Sequence, residues 1–230
     1  MPVKKRLYSY KGRLDSKKIA DGINAARKNA LRLLEDAQEL FATSRYPTAA
    51  ALAILSIEES GKEPILRRLA VSTSDDELTT LWKEYRSHTS KSVMWLLPQL
   101  YREGARQLDD FRDLFRLDAE HPYLLDQIKQ IGLYTDCLGK AHWSEPSAVI
   151  DKALAEALIQ IAELFVKEGD VEVKEVELWI KHMGKVRGKN LIDQKEALMR
   201  WYAEMIELDL TPKGSKFEDF VKWLGINLNK

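Results

Sequence analysis

An all-α fold is predicted by three features of the 230-residue sequence: glycines are few (11), apolar residues recur at spacings of three and four, and no run alternates at period two. Apolar residues make up 45% and charged residues 31%, the balance of a globular chain able to bury a core. Lys+Arg and Asp+Glu are equal at 36 each, so the whole-molecule basic field of a duplex-DNA binder is absent. With Cys137 as the only cysteine, no intrachain disulfide and no paired-thiolate zinc site can form. That usage fits a reducing, cytoplasmic setting, and a buried thiol is the default for Cys137. The N-terminus carries charge but no apolar segment after it, so it does not read as a secretory signal. The longest apolar run, near Ala49 to Ile57, is about half of a membrane span.

Residues 1–15 form a basic tail in which Lys4, Lys5, Arg6, Lys11 and Arg13 outnumber Asp15, with Tyr8 and Tyr10 interleaved. Such a tail suits stacking on single-stranded nucleic acid, or is a solvated loose end, the default for a terminus. A first helix is expected from Lys18 to Thr43, with Ile23, Ala26, Ala30, Leu33, Ala37 and Leu40 as its buried stripe. Pro47 suits the first turn of a second helix running to about Val71. Ser74, followed by Asp75, Asp76 and Glu77, caps a third, which the pattern carries on to about Leu117. His121-Pro122 opens a helix to about Asp136. The loop LGKAHWSEP then leads to a helix from Pro146 to Lys167, closed by Gly169. Further helices are expected over Val173–Val186, Leu191–Leu208 and Phe217–Leu224. The domain reading is a tail (1–15), a helical bundle (16–150) and a C-terminal helical extension (151–230).

The second helix carries the most chemistry. At about 100° per residue, its alanines, leucines and isoleucines cover most of the circumference. The one polar sector holds Ser56, Ser60, Glu63 and Arg67. Glu58, Glu59 and Lys62 fall instead inside the apolar arc. Buried charges must be paired or open onto a cleft, because an unpaired one costs several kcal/mol. Glu58 and Lys62 have the i,i+4 order that favours an ion pair. Gly61 between them costs about 1 kcal/mol relative to Ala, which suits a close approach by backbone or ligand. The group reads either as a network fixing helix register or as a functional cleft. If the third helix runs through Thr89-Ser90, Glu84, His88 and Lys91 share one face. Asn29 and Asp36 sit seven apart on one edge of the first helix, either lining the same groove or serving as boundary residues. His142 and Trp143 fall in a loop, where packing of the indole is the simpler reason for the segment. No P-loop, dinucleotide fingerprint or zinc-protease motif occurs, so no metal or cofactor is expected.

In order along the chain, Asn29-Ala30, Asp36-Ala37, Tyr46, the alanine-rich helix with Glu58-Glu59-Ser60-Gly61-Lys62, and then His88 and Lys91 resemble the AbiV family, with its EE-x-GK signature and following H-x-x-K. Tyr134 and Asp136, with Trp143 and Pro146, resemble that family's Y-x-D and W…P region. The likeness covers roughly residues 20–150. It implies a HEPN-like up-and-down helical bundle, commonly dimeric, acting in abortive infection by shutting down translation. Many HEPN relatives are metal-independent ribonucleases with an R-x4–6-H motif. Here Arg116 and His121 fit that spacing, whereas Arg86 and His88 are only two apart. In a nuclease reading, Glu58 and His88 handle protons while Lys62, Lys91 and Arg86 hold phosphate. Glu59, Asn29, Asp36, Arg116, His121, Tyr134 and Asp136 are secondary candidates. The alternative is a non-catalytic module that binds a translation or phage component. The partners implied are RNA or the translation machinery, a phage protein, and a second copy of the chain, with no membrane.

Overall fold

The computed structural model describes residues 9–87, 121–138, 141–211 and 213–223. Helices and strands are numbered within those residues.

Helix α1 (Ser16–Ala42) starts where the Asp15 carboxylate accepts from the Lys18 amide at 2.8 Å, satisfying one of the free N–H groups of the first turn. Its buried stripe contains Ile19, Ile23, Ala26, Ala30, Leu33 and Ala37, as the spacing predicts. Ser44, at φ 62°, turns the chain into α2 (Tyr46–Ser60).

The expected single helix from Pro47 to Val71 is instead two, α2 and α3 (Lys62–Ala70), broken at Gly61. Pro64 gives the reason. Inside a continuous helix its ring would press on the Ser60 carbonyl and leave that carbonyl without a donor. A restart at Lys62 puts Pro64 in a first turn, where no N–H is needed. Gly61 itself has φ −67° and ψ −8°, open to any residue.

Helix α2 is the axis of the bundle. Ala49, Ala50, Ala51, Ala53, Ile54 and Ile57 are all completely buried, and their small side chains let neighbouring helices approach from several directions. It packs most extensively on α1, then on α7 (Lys152–Phe165) and α5 (His121–Leu133). The main core joins Leu34, Ala37, Ile54, Ile57, Leu125, Leu158 and Ala162. Residues 152–165, assigned from sequence to the extension, therefore supply one wall of the α2 core.

A close approach lies at α5, where a Cβ on Gly132 would meet the Pro47 carbonyl oxygen at 3.0 Å. Gly132→Ala is expected to destabilise the protein by about 1–3 kcal/mol through overpacking, measured as a lowered urea midpoint at unchanged m-value.

A second core joins the N-terminal half of α1 to α3, α4 (Asp75–Arg86) and α8 (Val173–Met183) through Ile23, Leu66, Leu69, Leu81, Trp82 and Val176. Ser74 caps α4 as predicted, accepting from the Glu77 amide. Helix α4 ends at Arg86, where Ser87 has extended backbone at ψ 132°, and the rest of the expected helix, from His88 on, lies outside the described residues. The Ser-His-Thr-Ser stretch that follows is poor in helix formers. The described part of the N-terminal tail is docked rather than loose. Tyr10 meets Trp82 edge-on at 6.0 Å, the Trp82 indole donates to the Gly12 carbonyl at 3.0 Å, and Arg13 donates to the Ser72 carbonyl at 2.8 Å.

After α5 the chain forms an antiparallel hairpin, β1 (Asp136–Leu138) with β2 (His142–Ser144), Cys137 opposite Trp143. The sequence predicted no strand, because three residues each are too few to show alternation. Cys137 is exposed here, not buried, and Trp143 is 74% exposed, so packing of the indole does not explain this segment among the described residues.

The expected helix from Pro146 to Lys167 is α6 (Pro146–Val149) followed by α7, which Asp151 caps by accepting from the Leu154 amide. Gly169 lies beyond the end of α7, at φ 84°, and its carbonyl accepts from Arg27 at 3.1 Å. A turn of 3₁₀ helix, Gly184–Val186, extends α8; α9 (Leu191–Glu207) packs on α8, and α10 (Phe217–Trp223) on α9.

Candidate functional site

In the polar sector Ser56 and Glu63 are buried, and Ser60 and Arg67 are half-buried. Ser56 is completely buried and donates to the Ala30 carbonyl at 2.7 Å. Glu63, buried, is the hub: Arg27 from α1 donates to both carboxylate oxygens at 3.0 and 3.2 Å, and Arg67 Nε donates at 3.0 Å. Lys167, after α7, stands at 3.5 Å. Burial pushes the Glu63 carboxyl up, but the charges of Lys167, Arg67 and Arg27 outweigh it and hold the group at about 2, against an ordinary 4.5. Arg67 continues the network to Glu175 of α8, and its guanidinium lies 5.2 and 5.7 Å from the ring centres of Trp179 and Trp201.

The expected Glu58–Lys62 pair does not form. Glu58, 3% exposed, accepts instead from Lys129 of α5 at 2.6 Å. Asp126, one turn earlier on α5, accepts the same ammonium at 2.9 Å. Burial lowers the Lys129 pKa, but its hydrogen bonds and charge contacts with Glu58 and Asp126 raise it overall above its ordinary value. Lys62 pairs with Glu59 at 2.5 Å and rests 5.3 Å from the centre of the Tyr85 ring. Adjacent helical residues point about 100° apart, so Glu58 reaches α5 while Glu59 reaches its partner across the Gly61 break.

Of the remaining candidates, those within the described residues do not join this group. Arg32 donates to Asn29 and to Asp36 along the exposed face of α1. Arg86 donates to the carbonyls of Trp82 and Tyr10, holding the N-terminal segment. Glu84, the proposed neighbour of His88, pairs with Arg68 at 2.6 Å. Tyr134 and Asp136 are exposed at the hairpin. His88, Lys91 and Arg116 lie outside the described residues. His121 opens α5 as its position before Pro122 suggests, and its side chain also lies outside the described part.

Sequence reasoning missed Arg27, Lys129 and Lys167, the cations that answer the buried acids. Lys129 did leave a signal, standing four residues after Leu125 on the face that enters the core. Arg27 is adjacent to the buried stripe at Ala26. Lys167 left none, since nothing local ties it to Glu63.

Among the described residues no group of three or more metal-ligating side chains converges, and no helix is long and apolar enough to cross a membrane. A family model described as AbiV matches residues 18–167, from α1 through α7. No curated protein and no solved structure matches the chain. The matched segment holds the Glu58 and Glu59 pairs and the α1, α5 and α7 walls of the α2 core, and the fold around it is the helical bundle that the EE-x-GK likeness implies. The chain therefore belongs to the AbiV family, abortive-infection modules of the HEPN type.

Proposed function

We propose that this protein shuts down translation in a phage-infected cell by binding a component of the translation machinery, without cutting RNA. The observation that carries this reading is the engagement of the EE-x-GK charges inside the bundle. Glu58 is held by Lys129 at 2.6 Å and Glu59 by Lys62 at 2.5 Å. A general base needs a free lone pair within hydrogen-bond reach of a substrate proton. A carboxylate that is 3% exposed and locked to an ammonium is instead a device for fixing helix positions. In this reading residues 18–167 form the acting unit, working as a homodimer, and the helices beyond it form an extension.

The test is a cell-free translation reaction supplied with the purified protein, with tRNA, rRNA and mRNA followed on gels with and without EDTA. Translation is expected to stop while all RNA stays intact, and His88→Ala is expected to retain the arrest. EDTA-resistant cleavage that disappears in His88→Ala would overturn the binding reading and install the nuclease.

A further inference from the structure

Helix α7 is apolar on both sides. Of its 14 residues only Lys152, Glu156 and Glu163 carry charge. At about 100° per residue these three share one narrow edge. The inner face, with Ala155, Leu158, Ile159 and Ala162, is buried in the α2 core. The outer face holds Ala153, Ala157, Gln160 and Leu164, all exposed, with Leu164 at 64%. Leu154 and Ile161 lie half-buried along its uncharged edge. A helix at a protein surface normally turns charged and polar residues outward, and one that is apolar all round is covered all round. The outer face of α7 therefore has the composition of a contact rather than of a wetted surface.

The spacing fits another helix. Ala153, Ala157, Gln160 and Leu164 recur at steps of four, three and four, the seam along which two helices pack. The seam also fits itself. A two-fold contact sets a surface against its own copy, so that surface has to be self-complementary. Facing like charges would oppose such a contact, and the seam has none. Its one polar residue, Gln160, carries both an amide donor and an amide acceptor, so two copies satisfy one another. With the helices antiparallel about an axis between Ala157 and Gln160, Ala153 lies opposite the partner's Leu164, small against large. The two glutamines then stand within one turn of each other. On the charged edge Glu163 falls between the partner's Lys152 and the partner's Glu156, so attraction and repulsion offset. We propose that two copies of this chain meet through the outer face of α7, helix against helix and antiparallel. The proposal rests on the homodimer of the proposed function and names its surface. A single helix face about 20 Å long makes a small interface, so the dimer is of about micromolar affinity or weaker and forms as the protein accumulates.

The experiment is sedimentation velocity of the full chain from low to high micromolar concentration. The parent is expected to shift from monomer to dimer across that range. Leu164→Asp, at a side chain exposed enough to change without loss of the fold, enters the contact twice and is expected to weaken the dimer by about tenfold or more. Ile192→Asp on α9, at a side chain 70% exposed, is the control and is expected to assemble as the parent does. Chains carrying Ala153→Cys mixed with chains carrying Leu164→Cys, both with Cys137→Ser, are expected to be joined by a short bismaleimide more readily than either kind alone. Leu164→Asp assembling as tightly as the parent, or Ile192→Asp as weakly as Leu164→Asp, overturns the α7 contact and leaves the homodimer standing. Equal cross-linking in the unmixed samples overturns the antiparallel contact. A chain that stays monomeric at every concentration removes the homodimer and this face together.

Discussion

Glu63→Gln is expected to lower the unfolding free energy by about 3–5 kcal/mol, the range for breaking a buried ion pair and leaving its partners uncompensated. The substitution keeps the shape of the side chain but removes the charge that answers Arg27, Arg67 and Lys167 together. The Tm should fall by roughly 10 °C for a domain of this size. The effect carries a pH signature. The carboxyl sits at about 2 in the folded protein against an ordinary 4.5, a difference that corresponds to about 3 kcal/mol. Because the folded value is depressed, this contribution is fully present above the unfolded value. It is lost as pH falls from about 5 through 4.5 towards 2, and below that both states are protonated. Urea unfolding at a series of pH values should therefore show parent and variant far apart at pH 7, drawing together below pH 4 and converging near pH 2. A separation that stays constant from pH 7 down to pH 2 would mean the charge of Glu63 does not hold the network.

The second large effect is expected at the Glu58–Lys129 pair. Glu58→Gln leaves an ammonium stranded between α2 and α5, with Asp126 as its remaining acceptor, and is expected to cost about 3–5 kcal/mol. Lys129→Met takes the ammonium away from the buried carboxylate and is expected to cost a similar amount. The double variant removes both charges and leaves one neutral amide facing a thioether, which costs far less to bury than a lone ion. It should recover most of the loss. A coupling energy of several kcal/mol in the double-mutant cycle is the expected result. Additive losses would show that the two side chains do not act on one another.

The helices were legible because their causes are local. The stripe on α1, the Ser74 cap of α4 and the entry into α5 at His121-Pro122 all depend on residues a few positions apart. The break at Gly61 was legible too, in Pro64, but the alanine-rich run around it carried the stronger pattern. The wheel placed Glu58 inside the apolar arc, where it lies, and assigned it the wrong partner. The nearest cation in sequence, Lys62, is drawn to Glu59, while the true partner stands 71 residues away on α5. The wheel puts Glu63 in the polar sector but shows only polarity, not what that sector meets. Arg27 and Glu175 meet it from other helices, brought there by the tertiary fold alone. The Arg67–Trp201 contact had no sequence signature, since the two lie on α3 and α9 and become neighbours only when the C-terminal helices dock.

The most direct measurement of the central claim is translation arrest by the folded Glu58→Gln/Lys129→Met double variant, dosed against the parent at equal concentration. If the buried pair only positions helices, arrest should persist at close to the parental level. Loss of arrest in a double variant whose stability and helix content match the parent would contradict the account and make Glu58 part of the acting chemistry.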